Sequence, residues 1–140
     1  MAYDPNNIFA RILRGELPSH RVYEDDATLA FMDVMPQADY HTLVIPKLGG
    51  MGLLDTPPDS LAATILTMQK VAQAVKTVSG APGVMIMQLN GPEAGQTVFH
   101  LHFHIIPRFH GLELKFHARG MEAPEKLAAH AQNLRAALAV

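Results

Sequence analysis

From Val98 to Ile106 the chain reads VFHLHFHII, and Pro107 follows at once. Successive side chains of a strand point to opposite faces, so strict alternation of imidazole and bulky hydrophobe commits this segment to extended backbone. His100, His102 and His104 then share one face. Phe99, Leu101, Phe103 and Ile105 share the other, which belongs under helices. A proline cannot donate to a ladder, so the strand is expected to end at Pro107 or to lie on an edge there.

The remaining elements follow from caps, turns and period. Asn6 or Asn7 caps a short helix with Ile8, Phe9, Ile12 and Leu13 at helical spacing, stopped by Gly15. HRVYED and TLAFMDV meet at the turn-like Asp25-Asp26 and suggest a hairpin. HTLVIP, His41 to Pro46, reads as a third strand buried on both faces. After the glycine- and proline-rich loop KLGGMGLLDTPP, an amphipathic helix runs from Asp59 or Ser60 to about Val78. It carries Leu61, Ile65, Leu66, Met68, Val71, Ala72 and Val75 on one broad face and is closed by Gly80. Gly83 to Leu89 is a fourth strand, NGPEAGQ a loop, and Val98 to Ile106 the fifth strand. A second helical tract starts near Ala123, with Pro124 suited to its first turn. Connections mostly too short for parallel crossovers make the class α+β with an antiparallel sheet. The 140 residues are about one domain, taken as 1–140.

Three imidazoles on one face need hydrogen-bond partners or a ligand. Single histidines such as His20, His110, His117 and His130 are read as tolerated on a wet surface; three in strict alternation ask for more. Metal is a poor fit. The outer two lie roughly 13 Å apart at the usual rise, and the chain has no cysteine to complete a site. The absence of cysteine also removes disulfides and a thiolate nucleophile. A formal charge of −2 with 17% charged residues argues against a nucleic-acid partner. No run approaches the roughly 18 apolar residues of a membrane span, so no membrane partner and a cytoplasmic location are expected. Phosphate chemistry fits best. Upstream of the histidines lies GPEAGQTV, whose glycines expose backbone N–H groups to anionic oxygens, and a neutral imidazole is a competent nucleophile at phosphorus.

At this point the sequence resembles the histidine triad (HIT) proteins, defined by His-φ-His-φ-His-φ-φ with φ apolar; residues 100 to 106 match every position. IFARILRGELPSHRVYEDDATLAFMDVMPQADYHTLVIPK is similar to the N-terminal half of bacterial histidine triad hydrolases and Hint phosphoramidases. GPEAGQTVFHLHFHIIPR is similar to the corresponding stretch of the fragile-histidine-triad dinucleoside polyphosphate hydrolases. The likeness covers about residues 6 to 109, leaving a C-terminal helical extension of about 123–138.

The resemblance implies a nucleotide hydrolase or transferase. It would release a purine nucleoside 5′-monophosphate from a phosphoramidate or a dinucleoside polyphosphate through a nucleotidyl-histidine intermediate. His102 would be the nucleophile. His104 would contact phosphate oxygens or help protonate the leaving group, His100 would support, and Gln96 and Thr97 would contact phosphate and leaving group. Gly95 would allow close backbone approach, and Asp33 would bind the ribose hydroxyls. Ile8, Phe9, Phe31 and Val34 would form the base slot, although from the residues alone those four are ordinary core. His41 matches a histidine common before the LVIP strand and is as readily structural as functional. Asn90 is retained from a pair of asparagines whose first member is here Leu89, which puts one positioning contact in doubt.

Asn7, Ala10 and Gly49 stand where relatives carry zinc ligands, so no structural zinc and no required cofactor are expected. The implied fold is a five-stranded antiparallel sheet with one long and one or two shorter helices. The implied assembly is a homodimer with a ten-stranded sheet, joined through GVMIMQL and the 60–79 helix; Met68, Met85 and Met87 suit such a contact. Two rivals remain: a nucleotide-binding module without turnover, and a metal-binding protein using His100 and His102 with His41 or His110.

Overall fold

A computed structural model describes residues 2–114 and 120–139; His117 lies outside them. Asn7 caps the short helix α1 (Ile8–Leu13), its side chain accepting from the Ala10 N–H at 2.9 Å. The hairpin turn is built by Asp25, whose Oδ1 accepts from the N–H groups of Ala27 and Thr28 and from the Thr28 hydroxyl. An aspartate that satisfies its own turn in this way joins β1 (Arg21–Glu24) to β2 (Thr28–Met32). There follow β3 (Thr42–Pro46), α2 (Pro58–Ser79), β4 (Gly83–Met87), β5 (Phe103–Arg108) and α3 (Pro124–Leu138). The five strands form one antiparallel sheet in the order β1-β2-β3-β5-β4.

Both faces of this sheet are covered. α2 and α3 bury Val22, Ala30, Met32, Val44 and Ile105 together with their own Val71, Val75, Leu127 and Leu134. On the opposite face Phe9 and Ile12 of α1 pack with Leu29, Phe31, Leu43 and Ile45. Burial on two sides explains why β2 and β3 read as continuous apolar runs. Each fully buried aliphatic side chain contributes about 1.5–3 kcal/mol.

The fifth strand differs from the sequence expectation at its start, and at its other end Pro107 takes the edge alternative. The strand begins at Phe103, the last residue that pairs with β3, although β3 itself continues to Pro46. The segment upstream is in no ladder, and the Leu101 N–H donates instead to the Gly50 carbonyl. Only His104 of the three histidines is therefore on a strand. Nor does Pro107 end β5. It lies past the last β3 pair, Thr42–Ile105, with β4 alone beside it, so no N–H is missed on the β3 side.

The long helix also buries a different stripe. Thr64, Thr67, Val71, Ala74 and Val75 face the sheet, whereas Ile65 and Leu66 are exposed. The threonines can go inside because their hydroxyls are satisfied: Thr67 pairs with Thr28 at 2.8 Å and Thr64 donates to the Ser60 carbonyl. Gly80 ends α2 in the left-handed conformation, at φ +72°. No helix among the described residues is long and apolar enough to cross a membrane.

Candidate active site

One row of cross-strand neighbours forms the floor of a cavity. Phe31 of β2 opposes Leu43 of β3, Leu43 opposes His104 of β5, and His104 opposes Met87 of β4. Above this floor lies a space of about 390 Å³, within the ordinary range for a small-molecule site. Of the residues singled out from sequence, Ile8, Phe9, Phe31, Asp33, Val34, Gly95, Gln96, Thr97, His102 and His104 line it. Phe9 and Phe31 are at once buried core and cavity wall, so the two sequence readings of these residues are not exclusive.

The hydrogen bonds fix the protonation of each imidazole in turn. His102 Nδ1 donates to the His100 carbonyl at 2.7 Å, which leaves Nε2 with a free lone pair. The Phe9 ring stands edge-on to the same imidazole, centroids 4.9 Å apart. His41 Nδ1 accepts from the Gln37 N–H at 3.0 Å, so its proton is on Nε2. That proton is directed at His104 Nδ1, 2.9 Å away, and His104 in consequence carries its own proton on Nε2. His41 thus sits behind His104 and determines what His104 presents to the cavity.

Burial holds these rings neutral. His41 is pushed down to about 3, by desolvation first and then by His104 and His102. His104 is pushed down to about 4, by desolvation and by His102. His102 and His100 are lowered too, chiefly by burial, with the carbonyls of His100 and Pro46 respectively opposing the shift. Asp33 moves the other way, up to about 6, because desolvation outweighs its hydrogen bond from the Met35 N–H. Asp33 Oδ2 lies 3.4 Å from His41 Nε2. With His41 neutral, that contact is a long second acceptor for the Nε2–H and not an ion pair.

These shifts set a stability profile. Unfolded histidines take up protons below about 6.5 and the buried ones do not, so stability falls as pH drops below 6.5. Asp33 opposes this between about 6 and 3.8, where the folded state holds a proton that the unfolded state has released. Four histidines outweigh one carboxyl. Thermal unfolding is expected at least about 5 °C lower at pH 5 than at pH 7, and a Tm unchanged or raised at pH 5 contradicts the assignment.

Three of the named residues lie elsewhere. His100 faces away from the cavity, its Nε2 donating to the Pro46 carbonyl at 2.8 Å and its Nδ1 accepting from the Tyr3 hydroxyl at 2.7 Å. Asn90 clamps loops, accepting from the Leu53 N–H and exchanging two hydrogen bonds with the Gln88 side chain. It borders a second depression of about 340 Å³, together with Gly52 and Phe99. His41 is behind the wall, as described. Gln96 lines the cavity but both its N–H donors are used: Nε2 donates to the carbonyls of Met51 and Val98, and Oε1 accepts from the Gly91 N–H. It fastens the glycine loop, in which Gly91 and Gly95 adopt φ of +91° and +100°.

Gln37 and Tyr3 were not singled out from sequence, and neither lies in a pattern that marks it. Among the described residues Asp33, His41 and His104 are the one grouping whose ligand atoms come within 4.8 Å of one another. A metal on His41 Nε2 would require the proton on Nδ1, where the Gln37 N–H already points. The donor set does not suit a cation without breaking that bond.

Comparison with known proteins agrees with this geometry. The HIT domain profile matches residues 14–111. A crystal structure of a Hit-like protein from Bartonella henselae, described as involved in cell-cycle regulation, superposes with a TM-score of 0.91 at 52% identity, covering 97% of this chain and 99% of that one. An adenosine 5′-monophosphoramidase of Candida albicans is 36% identical over 77% of this chain and 74% of its own length. An adenylylsulfatase of Arabidopsis thaliana is 40% identical over 72% of this chain and 51% of its own. The relatives thus include enzymes that act on adenylyl compounds. Histidine row, sheet order and profile match agree, and the chain belongs to the HIT domain family.

Proposed function

We propose that this protein is a nucleotide hydrolase that transfers a nucleoside 5′-monophosphoryl group to His102 and then to water. The observation that carries the reading is the His102 tautomer: a neutral imidazole with Nδ1–H held by the His100 carbonyl and Nε2 unprotonated. Attack of that lone pair on phosphorus forms the P–N bond as the bond to the leaving group breaks, the departing amine nitrogen taking a proton from solvent water; the water that later attacks the intermediate releases one, so the net reaction is hydrolysis. The charge that develops on the ring is met by the His100 carbonyl at Nδ1. His104, pushed down to about 4, is neutral at working pH, so its Nε2–H acts as a hydrogen-bond donor to phosphoryl oxygen and not as a strong acid. Such a preorganised donor is worth about 3–4 kcal/mol where it can be measured. Water then cleaves the P–N bond and restores His102. Asp33 is placed to accept from ribose hydroxyls, with Ile8, Phe9, Phe31 and Val34 against the base.

The charge of the cavity favours one leaving-group class. Among the described residues no lysine or arginine lines it, and its one carboxylate is Asp33. A dinucleoside polyphosphate would bring several negative charges beside that carboxylate with no counter-charge, whereas a phosphoramidate brings one and loses a neutral amine. No step needs a metal. Both nitrogens of His100 are engaged, so a structural zinc on that residue is not part of the proposal. A second copy is proposed to add at β4, which pairs with β5 alone and exposes Ile86, with the exposed Ile65 and Leu66 of α2 as further apolar surface.

The test is AMP release from adenosine phosphoramidate and from diadenosine triphosphate, with and without chelator. The phosphoramidate is expected to be preferred at least about tenfold in kcat/KM, with no effect of chelator. Equal or reversed preference assigns the protein to polyphosphates, and AMP binding without turnover makes it a binding module.

A further inference from the structure

We propose that α3 is the strut that holds the nucleotide-binding loop in place, with His130 and Asn133 acting as positioning residues through Tyr40. The inference rests on the nucleotide reading above for its functional consequence, but its structural part is independent of it.

The loop from Asp33 to His41 contributes Asp33, Val34, Met35 and Gln37 to the cavity and ends on the imidazole that sets the His104 tautomer. It is closed at its base, where the Asp33 N–H donates to the His41 carbonyl at 3.0 Å. Its last turn is strained. Tyr40 is the one residue other than glycine with positive φ among those described, at +66°, and a bulky side chain in that region persists only where the surroundings impose it.

What imposes it is α3. The His130 ring stacks on Tyr40 with centroids 4.1 Å apart and planes 27° from parallel. Asn133 Nδ2 donates to the Tyr40 hydroxyl at 2.9 Å. Lys126 pairs with Asp39 at 3.0 Å, and the Glu122 N–H just before the helix donates to the Val34 carbonyl at 2.9 Å. Three contacts from α3 and one from the residue leading into it therefore fall on a loop that also lines the cavity. Leu127, Ala131 and Leu134 anchor the same helix in the sheet-side core, so the strut has a fixed footing. If the clamp on Tyr40 is released, the residue can leave the left-handed region. The Tyr40–His41 peptide then turns, and Asp33 and His41 move with it.

The experiment compares the His130→Ala/Asn133→Ala double variant with Arg135→Ala, which removes a bond from the same helix to the Arg21 carbonyl in β1 and does not touch the loop. Two quantities are read: hydrogen exchange at the Asp33 and His41 amides without ligand, and the affinity for AMP together with KM and kcat. In the double variant exchange should quicken at least about tenfold at both amides and AMP affinity and KM should worsen at least about fivefold. In Arg135→Ala both should stay within about twofold even where Tm falls equally. His130→Phe, which keeps a ring on Tyr40, should restore loop protection and AMP affinity. Exchange and AMP affinity unchanged in the double variant overturn the proposal. Quickened exchange in a protein whose parent does not bind AMP upholds the strut and overturns the nucleotide reading instead.

Discussion

Replacing His102 by alanine is expected to lower AMP release from adenosine phosphoramidate at least about a thousandfold, because it removes the proposed nucleophile and not merely a contact. The fold should survive. The substitution leaves the buried His100 carbonyl without its Nδ1–H donor, which costs about 1–3 kcal/mol, and opens space beside Phe9. AMP itself should still bind, since Asp33 and the apolar wall are untouched. Circular dichroism and AMP titration separate this outcome from unfolding. Turnover retained within about tenfold in a folded His102→Ala protein contradicts the assignment.

The second large effect is expected from a residue that does not line the cavity. In His41→Phe the ring volume stays while the Nε2–H that His104 Nδ1 accepts is lost. His104 is then free to place its proton on Nδ1 and turn a lone pair toward the phosphoryl oxygens, exchanging attraction for repulsion. A fall in kcat of about 10²–10³ is expected with little change in KM, the signature of an interaction made in the transition state. The Gln37 N–H also loses its acceptor, so stability should drop by about 1–3 kcal/mol. His41→Gln, which can offer an N–H in the same direction, should recover part of kcat. Nitrogen-15 shifts of His104 report the tautomer directly; a tautomer unchanged in His41→Phe would contradict the relay from Gln37 through His41 to His104.

Periodicity revealed elements better than it revealed which side of them mattered. The alternation at 98–106 placed His104 correctly on the cavity face and Ile105 under the helices, because that part of the segment has strands on both sides. It misplaced His100, because residues 98–102 pair with no strand and bond to the Gly50 loop instead. A one-dimensional pattern carries no information about where pairing to a neighbouring strand stops. The α2 stripe fails for a related reason: Thr64 and Thr67 read as polar, yet each finds a hydroxyl or carbonyl in the folded chain that the sequence does not display.

At the site itself, the cavity lining was legible because it is made of consecutive motifs: the α1 face, the end of β2 and the glycine loop. The resemblance supplied what the residues alone left ambiguous, namely that buried Phe9 and Phe31 also form a wall. Roles that depend on a second contact were not legible. Gln96 reads as a polar group for phosphate and is in fact committed to three backbone partners. Tyr3 and Gln37 act through His100 and His41 from distant or irregular segments, and Tyr40 matters for a backbone angle no propensity announces.

The central claim is that His102 carries the nucleotidyl group, and its most direct measurement is mass spectrometry of the protein quenched during turnover of adenosine phosphoramidate, at alkaline pH where a phosphorylated imidazole persists. The account predicts one added nucleotidyl group, mapped to His102 and absent from His102→Ala. Rapid turnover with no adduct at any quench time, or an adduct on His100 or His104, would contradict it.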